Sequence, residues 1–139
     1  MTQGELRIYL SEYREERHFS QCLINILQCH LEELETLPHS PEVWMERRQV
    51  LHMIETERER MRRKTEAVKG WTELISDETH RQIFIDRYFN YMLWESLTDK
   101  YCYSRTQIFQ IHRDTCSEIV SKTLFDLKSY SSIFSLYGE

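Results

Sequence analysis

The sequence has few residues that interrupt helices, because its 139 residues include only three glycines and two prolines. Gly4, Gly70 and Gly138 are too scattered to form a phosphate-binding glycine loop or a nucleophile elbow. The acidic residues follow helix surfaces and show no acid/base or metal-binding motif. The composition therefore predicts a nearly all-α protein that is not an enzyme and needs no cofactor.

Zinc-binding and disulfide patterns are also missing. None of the cysteines has a CxxC partner, so a reduced cytosolic setting is the simplest interpretation. His18 precedes Cys22 by four residues, and His112 precedes Cys116 by four, but neither pair has a clear third and fourth ligand. We expect no metal site, and buried thiols with core or surface histidines instead. The four cysteines are Cys22, Cys29, Cys102 and Cys116.

Long apolar runs and an excess of basic charge are absent as well. No run approaches the roughly 20 apolar residues of a membrane span, and no signal peptide precedes the first helix. We therefore expect a soluble cytoplasmic protein without membrane contact. The net charge of −5 argues against indiscriminate binding to polyanions. Residues 57–69 hold six basic and three acidic residues, and they predict a solvated helix face with i,i+4 ion pairs, or alternatively a phosphate contact.

Helical apolar spacing fills the first half of the chain. Residues 5–37 predict one long helix, although the polar residues 14–20 leave a bend or break open. The apolar run CLINIL, residues 22–27, indicates contacts on more than one side. The predicted inward stripe is Leu6, Tyr9, Leu10, Tyr13, Leu23, Ile26, Leu27, His30, Leu34 and Leu37.

A second long helix should follow after a short connection. Ser40 is its predicted N-cap and Pro41 its first residue. Apolar residues at alternating spacings of three and four continue past Gly70, so this helix should run to about Leu74. Two long helices joined by a tight connection predict an antiparallel hairpin over residues 1–75.

Three shorter helices are predicted over residues 76–128. Ser76 is the predicted N-cap of a helix from Asp77 to Tyr88, with Ile83, Phe84 and Tyr88 facing inward. Leu97 and Tyr101 share one face of the next helix. Cys102 and Tyr103 then leave room only for a tight turn before Ser104, which is a good N-cap for the last helix. The inward stripe of that last helix is Ile108, Ile111, Thr115 and Ile119.

The opposite face of the last helix carries side chains that can read DNA. If the apolar stripe faces inward, the outward residues offer donors and acceptors suited to base edges, and an alternative is that they only cover a helical bundle. Arg105 would bind guanine, Gln110 adenine and Thr106 a thymine methyl. Phe109 would pack on a thymine methyl or belong to a protein contact. Candidate phosphate contacts are Ser104 with its neighbouring amides, Arg113, Lys100 and Arg87.

The segment from Arg87 to Ile119 resembles the region-four helix-turn-helix of bacterial sigma factors, in particular the variant in RinA-type and ArpU-type phage late-gene activators. The matching residues are Arg87, Tyr88 and Phe89 at the end of the first helix, Trp94 to Tyr101 as the support helix, and Ser104, Arg105, Ile108, Ile111 and His112.

Four positions depart from that family pattern. Cys102 occupies a turn position that usually carries glycine, so it must accept a left-handed or distorted backbone at a cost of about 1 kcal/mol. Tyr91 replaces a second glycine. Leu93 occupies the usual Ser/Thr cap position of the support helix, and Thr98 takes the place of a small alanine.

The resemblance implies a sequence-specific DNA-binding transcription regulator, an activator of phage or prophage genes that binds promoter or operator DNA. The hairpin would then form a coiled-coil homodimer or contact RNA polymerase. An alternative is a sigma-like protein that binds RNA polymerase or a sigma factor without reading DNA. Phe109 and the near-neutral charge of residues 76–128, seven Lys/Arg against eight Asp/Glu, favour that alternative. Residues 129–139 predict a frayed tail, or a segment docked on the hairpin or on a second chain.

Overall fold

The computed structural model describes the backbone of residues 1–137 and the side chains of residues 1–124. Within the described backbone the chain forms five α-helices and no strand, which confirms the predicted all-α class. None of the described helices is long and apolar enough to cross a membrane. The helices are α1 (Gln3–Glu35), α2 (Pro41–Glu73), α3 (Glu78–Tyr88), α4 (Trp94–Tyr101) and α5 (Arg105–Tyr137).

The two long helices have nearly the predicted bounds. α1 is continuous through residues 14–20, because this polar stretch contains neither glycine nor proline. The Oγ atom of Ser40 accepts a hydrogen bond from the backbone N–H of Val43 at 3.2 Å, which confirms the predicted cap of α2. α2 continues past Gly70, because a single glycine weakens a helix without ending it.

The chain forms two compact units, and they do not divide at residue 75, where we predicted the end of the hairpin. One unit is residues 15–67, and the other combines residues 1–14 with the chain from residue 68 onward. The long helices have no break at residue 15 or 67, so no local sequence signal marks this division. The apolar stripe nevertheless continues into both ends: Leu6, Leu10, Val68 and Ile75 are fully buried.

The unit of residues 15–67 is an antiparallel helical hairpin. Late residues of α1 pair with early residues of α2, as in the 3.1 Å contact between His30 Nε2 and Glu46 Oε1, whereas Glu16 pairs with Arg60 and Lys64. Ion pairs also line the basic run, including Arg62 with Glu59 at 2.8 Å, as expected for a solvated helix face. The apolar core of this unit is Ile24, Leu27, Leu34, Val50 and Ile54.

Two residues of the predicted inward stripe are exposed. Ile26 is 66% exposed and Leu37 is 48% exposed. Leu37 follows the end of α1. Ile26 points away because Ile24 and Leu27 already face α2, and at roughly 100° per residue position 26 lies far from both.

In the other unit, α3 begins one residue later than predicted. Its N-cap is Asp77, whose Oδ1 accepts a hydrogen bond from the backbone N–H of His80 at 2.9 Å. The predicted cap, Ser76, instead donates its backbone N–H and its hydroxyl to the carboxylate of Glu118 in α5. Ser76 therefore links the α2–α3 connection to α5.

α3, α4 and α5 pack around one small apolar core. Ile83, Leu97 and Ile108 are its buried centre, one from each helix. The inward stripes that we predicted for these helices are confirmed, although Tyr101 and Ile111 are only half-buried. The side chains packed against this centre are Met92, Trp94, Tyr101, Tyr103 and Ile111.

α4 lies between two residues with left-handed backbones. Tyr91 has φ 58° and Cys102 has φ 57° with ψ 35°. These are the two positions where the sigma-like pattern carries glycine, and the left-handed turn expected at Cys102 is confirmed. Leu93 is the N-cap residue of α4 and makes no side-chain capping bond.

α5 extends beyond the predicted domain end at Lys128. The predicted tail, residues 129–139, is helical as far as Tyr137, because residues 105–137 contain neither glycine nor proline. Its side chains, together with residues 138 and 139, lie outside the described residues.

The left-handed turn allows a test of the geometry between α4 and α5. Cys102→Gly should raise the free energy of unfolding by roughly 1 kcal/mol, because glycine adopts φ 57° without a Cβ clash. Chemical denaturation followed by circular dichroism measures the change. Ser117→Gly, at an exposed helical position of the same unit, is the control and should lower stability by roughly 0.5 kcal/mol. A loss of stability in Cys102→Gly would contradict the turn.

Candidate nucleic-acid interface

The start of α5 is held by a reciprocal cap. The Oγ atom of Ser104 accepts a hydrogen bond from the backbone N–H of Gln107 at 3.1 Å, and the Gln107 side-chain oxygen accepts one from the Ser104 N–H at 2.8 Å. This capping box satisfies two backbone donors at the helix start. The predicted cap Ser104 is confirmed. Gln107 was missed, although its position three residues after a capping serine is a readable signal.

Four of the predicted base-reading and phosphate-binding residues lie exposed on the first turns of α5: Arg105, Thr106, Gln110 and Arg113. Their orientation follows from the opposite face, where Ile108, Thr115 and Ile119 are buried. Hydrogen bonds organise part of this surface. The Gln110 amide donates to Asp114 Oδ1 at 2.9 Å and accepts from Arg113 Nη2 at 3.0 Å. Gln110 would have to exchange these partners to bind a base, and Asp114 adds a negative charge that we did not anticipate.

Phe109 is half-buried, whereas we predicted an outward side chain. Its ring packs edge-on against Trp94, with 5.1 Å between ring centroids. The guanidinium carbon of Arg105 lies 5.5 Å from the Phe109 ring centroid, and that of Arg87 lies 4.1 Å from the Trp94 ring centroid. The four side chains form a stack that runs from inside the unit to its surface. Phe109 therefore supports Arg105 from below.

Arg87 and Lys100, the other two candidate phosphate contacts, are engaged inside the unit. Arg87 donates to the carbonyl oxygen of Met92 at 3.0 Å, and its Nε has no hydrogen-bond partner. Burial, aided by the nearby charge of Arg14, lowers the pKa of Arg87 below its ordinary value. Lys100 binds Asp86 at 2.8 Å and keeps an exposed side. Arg87 and Lys100 therefore stabilise the exposed face of α5 from within the unit and are not part of that face.

Asp86 is a buried carboxylate at the junction of α3 and α4. The Gln82 amide donates to it at 3.3 Å. Closer hydrogen bonds come from Lys100 at 2.8 Å, from the Tyr101 hydroxyl at 2.5 Å and from the Asn90 amide at 2.8 Å. Burial by itself would raise the pKa of Asp86, but these hydrogen bonds, that of Lys100 first, outweigh it and hold the pKa below its ordinary value. Burial raises the pKa of Tyr101, and its hydrogen bond to Asp86 raises that pKa further. Asp86 was not among the functional residues that the sequence predicted.

His112 packs on the inner side of α5, directly behind the exposed face. Its Nε2 shares a 2.6 Å hydrogen bond with the hydroxyl of Tyr88, and its ring lies edge-on to Trp94 with centroids 5.1 Å apart. Burial, assisted by the charges of Arg87 and Arg7, lowers the pKa of His112 to about 4. The imidazole is therefore neutral at pH 7. Burial likewise raises the pKa of the Cys116 thiol to about 11, so this thiol is unreactive.

Other kinds of site find little support in residues 1–124. No three His, Cys, Asp or Glu side chains there lie close enough to hold a metal ion. Arg14 of α1 instead serves the fold, because it donates to the carbonyl oxygens of Arg87 and Tyr91 and closes the end of α3. No protein-family model, curated protein or solved structure matches the chain.

Removing the charge of Asp86 should loosen the support of α5. We expect Asp86→Asn to lower the free energy of unfolding by roughly 2 kcal/mol, because a buried acceptor of four hydrogen bonds loses its charge and gains an unmatched N–H donor. Urea denaturation measures the change. The control is Asp114→Asn on the exposed face, which should change stability by less than about 0.5 kcal/mol. Equal effects of the two substitutions would show that Asp86 has no special role.

The buried imidazole predicts a pH dependence of stability. In the unfolded chain a histidine titrates near its ordinary pKa of about 6.5, whereas folded His112 titrates at about 4. The unfolded state therefore binds more protons between these values, and stability falls as the pH is lowered through this window. We expect a loss of about 2 kcal/mol between pH 7 and pH 5.

Denaturation of two variants isolates the contribution of His112. His112→Gln should lack this loss, while His52→Gln, an exposed position in the hairpin, should retain the pH dependence of the parent chain. An unchanged pH profile in His112→Gln would mean that the buried imidazole is not its source.

Proposed function

We propose that the chain is a sequence-specific DNA-binding transcription regulator of the phage late-gene activator type. On this proposal α4 and α5 act as a helix-turn-helix, and the N-terminal part of α5 enters the major groove of promoter or operator DNA. The supporting observation is the exposed polar face of Arg105, Thr106, Gln110 and Arg113 directly after a tight, capped turn. These are residue types that hydrogen-bond base edges and phosphates.

Arg105 is the central residue of this proposal. It is the first residue of α5 and is exposed, while the ring of Phe109 limits where its guanidinium can lie. A guanidinium held in advance loses less rotamer freedom when it binds the two acceptors of a guanine. Thr106 and Gln110 would contact neighbouring bases, and Arg113 a phosphate. The helix-start amides that the capping box leaves unpaired would hold a second phosphate.

The modest charge of the unit sets an expectation for affinity. The exposed face has only two arginines, Arg105 and Arg113, and Gln110 joins Arg113 to the carboxylate of Asp114, so few phosphates can be neutralised. With about three phosphate contacts, the logarithm of the binding constant should fall with the logarithm of salt concentration with a slope near −3. Binding should therefore depend on base contacts more than on charge.

A second candidate is a sigma-like protein that binds RNA polymerase or a sigma factor. The observation that favours it is an apolar surface beside the proposed reading face: Leu93 is 61% exposed, and Phe109 and Trp94 are only partly covered. Such a patch suits a protein partner better than a phosphate backbone. This role needs no base contacts.

Arg105→Ala separates the two functions. The full chain is first used to select tight ligands from a library of random DNA duplexes, and affinities for the selected duplex are then measured by gel shift at two salt concentrations. We expect Arg105→Ala to weaken specific binding by roughly tenfold to a hundredfold, as for the loss of a bidentate guanine contact. Arg62→Ala, on an ion-paired hairpin arginine, is the control and should bind as the parent does.

Two outcomes would contradict DNA reading. If no duplex is enriched, or if Arg105→Ala and Arg62→Ala bind equally well, the exposed face does not read bases. Capture of purified bacterial RNA polymerase by the chain, without any shift of DNA, would support the second candidate. In that case Leu93→Ser should weaken polymerase capture, whereas Arg62→Ala should leave it nearly unchanged.

A further inference from the structure

Within the hairpin, α1 carries two apolar stripes and only one of them is covered. The inner stripe, Ser20, Ile24, Leu27, Leu31 and Leu34, has alternating spacings of four and three and is buried or half-buried. The outer stripe, Phe19, Cys22, Ile26 and Cys29, has spacings of three, four and three, and all four side chains are exposed. Alternating three and four is the spacing of a helix–helix seam. The outer stripe is therefore a second seam, and no side chain of residues 1–124 covers it.

The hairpin as a whole exposes much of its apolar surface. In residues 15–67 seven large apolar side chains are exposed, whereas six are buried. Phe19 and Ile26, the two largest members of the outer stripe, are each 66% exposed. An uncovered stripe of this kind marks an interaction surface.

We propose that the outer stripe binds the outer stripe of a second copy of this chain, in antiparallel orientation. The stripe is self-complementary in that direction. If Phe19 lies opposite Cys29 of the second copy, then Ile26 lies opposite Cys22 of the second copy, so each large side chain meets a small one. A parallel alignment would place Phe19 against its own copy and would leave cysteine facing cysteine. The sizes of these side chains therefore favour the antiparallel pair, in which a two-fold axis relates the two copies.

Two glutamates limit the length of this seam. Glu15 precedes Phe19 by four residues and Glu33 follows Cys29 by four, so both continue the stripe, and both are exposed. In the antiparallel pair Glu15 lies opposite Glu33 of the second copy at each end. The apolar seam is then 11 residues, or roughly 16 Å, long. An interface this short should give a dissociation constant in the micromolar range or weaker.

Sedimentation equilibrium of the full chain under reducing conditions tests self-association. The parent chain should shift from monomer towards dimer between about 5 and 500 μM, the range that a micromolar dissociation constant implies. Ile26→Glu places a charge in the middle of the seam and should abolish the shift. Met45→Glu is the matched control, because Met45 is 59% exposed on α2 and lies outside the stripe, and it should associate as the parent does.

A charge exchange tests the direction of pairing. Glu15→Lys replaces two repulsive pairs with two attractive ones in the antiparallel dimer, so association should tighten roughly tenfold. The double variant Glu15→Lys/Glu33→Lys restores like charges at both ends and should return to the affinity of the parent. In a parallel dimer neither variant would gain, because each lysine would face its own copy.

Several results would overturn the proposal. A parent chain and a Glu15→Lys variant that both stay monomeric at 500 μM would exclude the second copy as the partner. Equal loss in Met45→Glu and Ile26→Glu would place the contact elsewhere. Weaker association in Glu15→Lys would show that the glutamates face basic residues of the partner. None of these measurements involves DNA. They can therefore contradict the dimer without contradicting DNA binding by α5, and the DNA measurements can contradict DNA binding without contradicting the dimer.

Discussion

The carboxylate of Asp86 is the constraint on which the unit of residues 1–14 and 68 onward depends. A carboxylate with 1% exposure is costly to bury unless its oxygens are hydrogen-bonded, and four donors satisfy it, two from α4, one from α3 and one that follows α3. These bonds fix where α4 lies against α3. Because only two residues separate the end of α4 from the cap of α5, the placement of α4 also fixes where α5 starts. A single buried charge thus determines the position of the exposed face.

The face itself is supported by stacked side chains more than by ion pairs. From Arg87 through Trp94 and Phe109 to Arg105, each group lies on the next, and His112 closes the stack from behind. The two arginines at the ends have different roles. Arg87 is half-buried and bonded to the backbone, whereas Arg105 is exposed and can exchange water for a ligand. A rigid interior with one adaptable group at the surface is the arrangement that a recognition surface requires.

The parts of this fold that could be predicted are those with local signals. The cap at Ser40, the cap at Ser104 and the buried stripe of α5 all follow from spacings within a few residues. The role of Asp86 could not be predicted, because its partners Lys100 and Tyr101 lie 14 and 15 residues away and a buried aspartate looks like any other in the sequence. Phe109 was misplaced for the same reason, since only the position of Trp94 decides its burial. The division at residues 15 and 67 falls within unbroken helices and leaves no mark in the sequence.

The outer stripe of α1 illustrates a different limit. Helical spacing placed Ile26 on the inward face, and only the actual direction of α2 shows that Ile24 and Leu27 occupy that face. The run CLINIL did predict contacts on more than one side. Periodicity therefore predicted two apolar surfaces, while only the packing of the hairpin shows which of them faces α2.

The left-handed residues on both sides of α4 have a consequence for the order in which the chain folds. An unfolded tyrosine or cysteine visits positive φ only a few per cent of the time, so Tyr91 and Cys102 are both left-handed in roughly one chain in a thousand. Helices α1, α2 and α5 need no such coincidence. The short helix should therefore be the last to dock, because the other helices can form before this rare pair of backbone states is adopted.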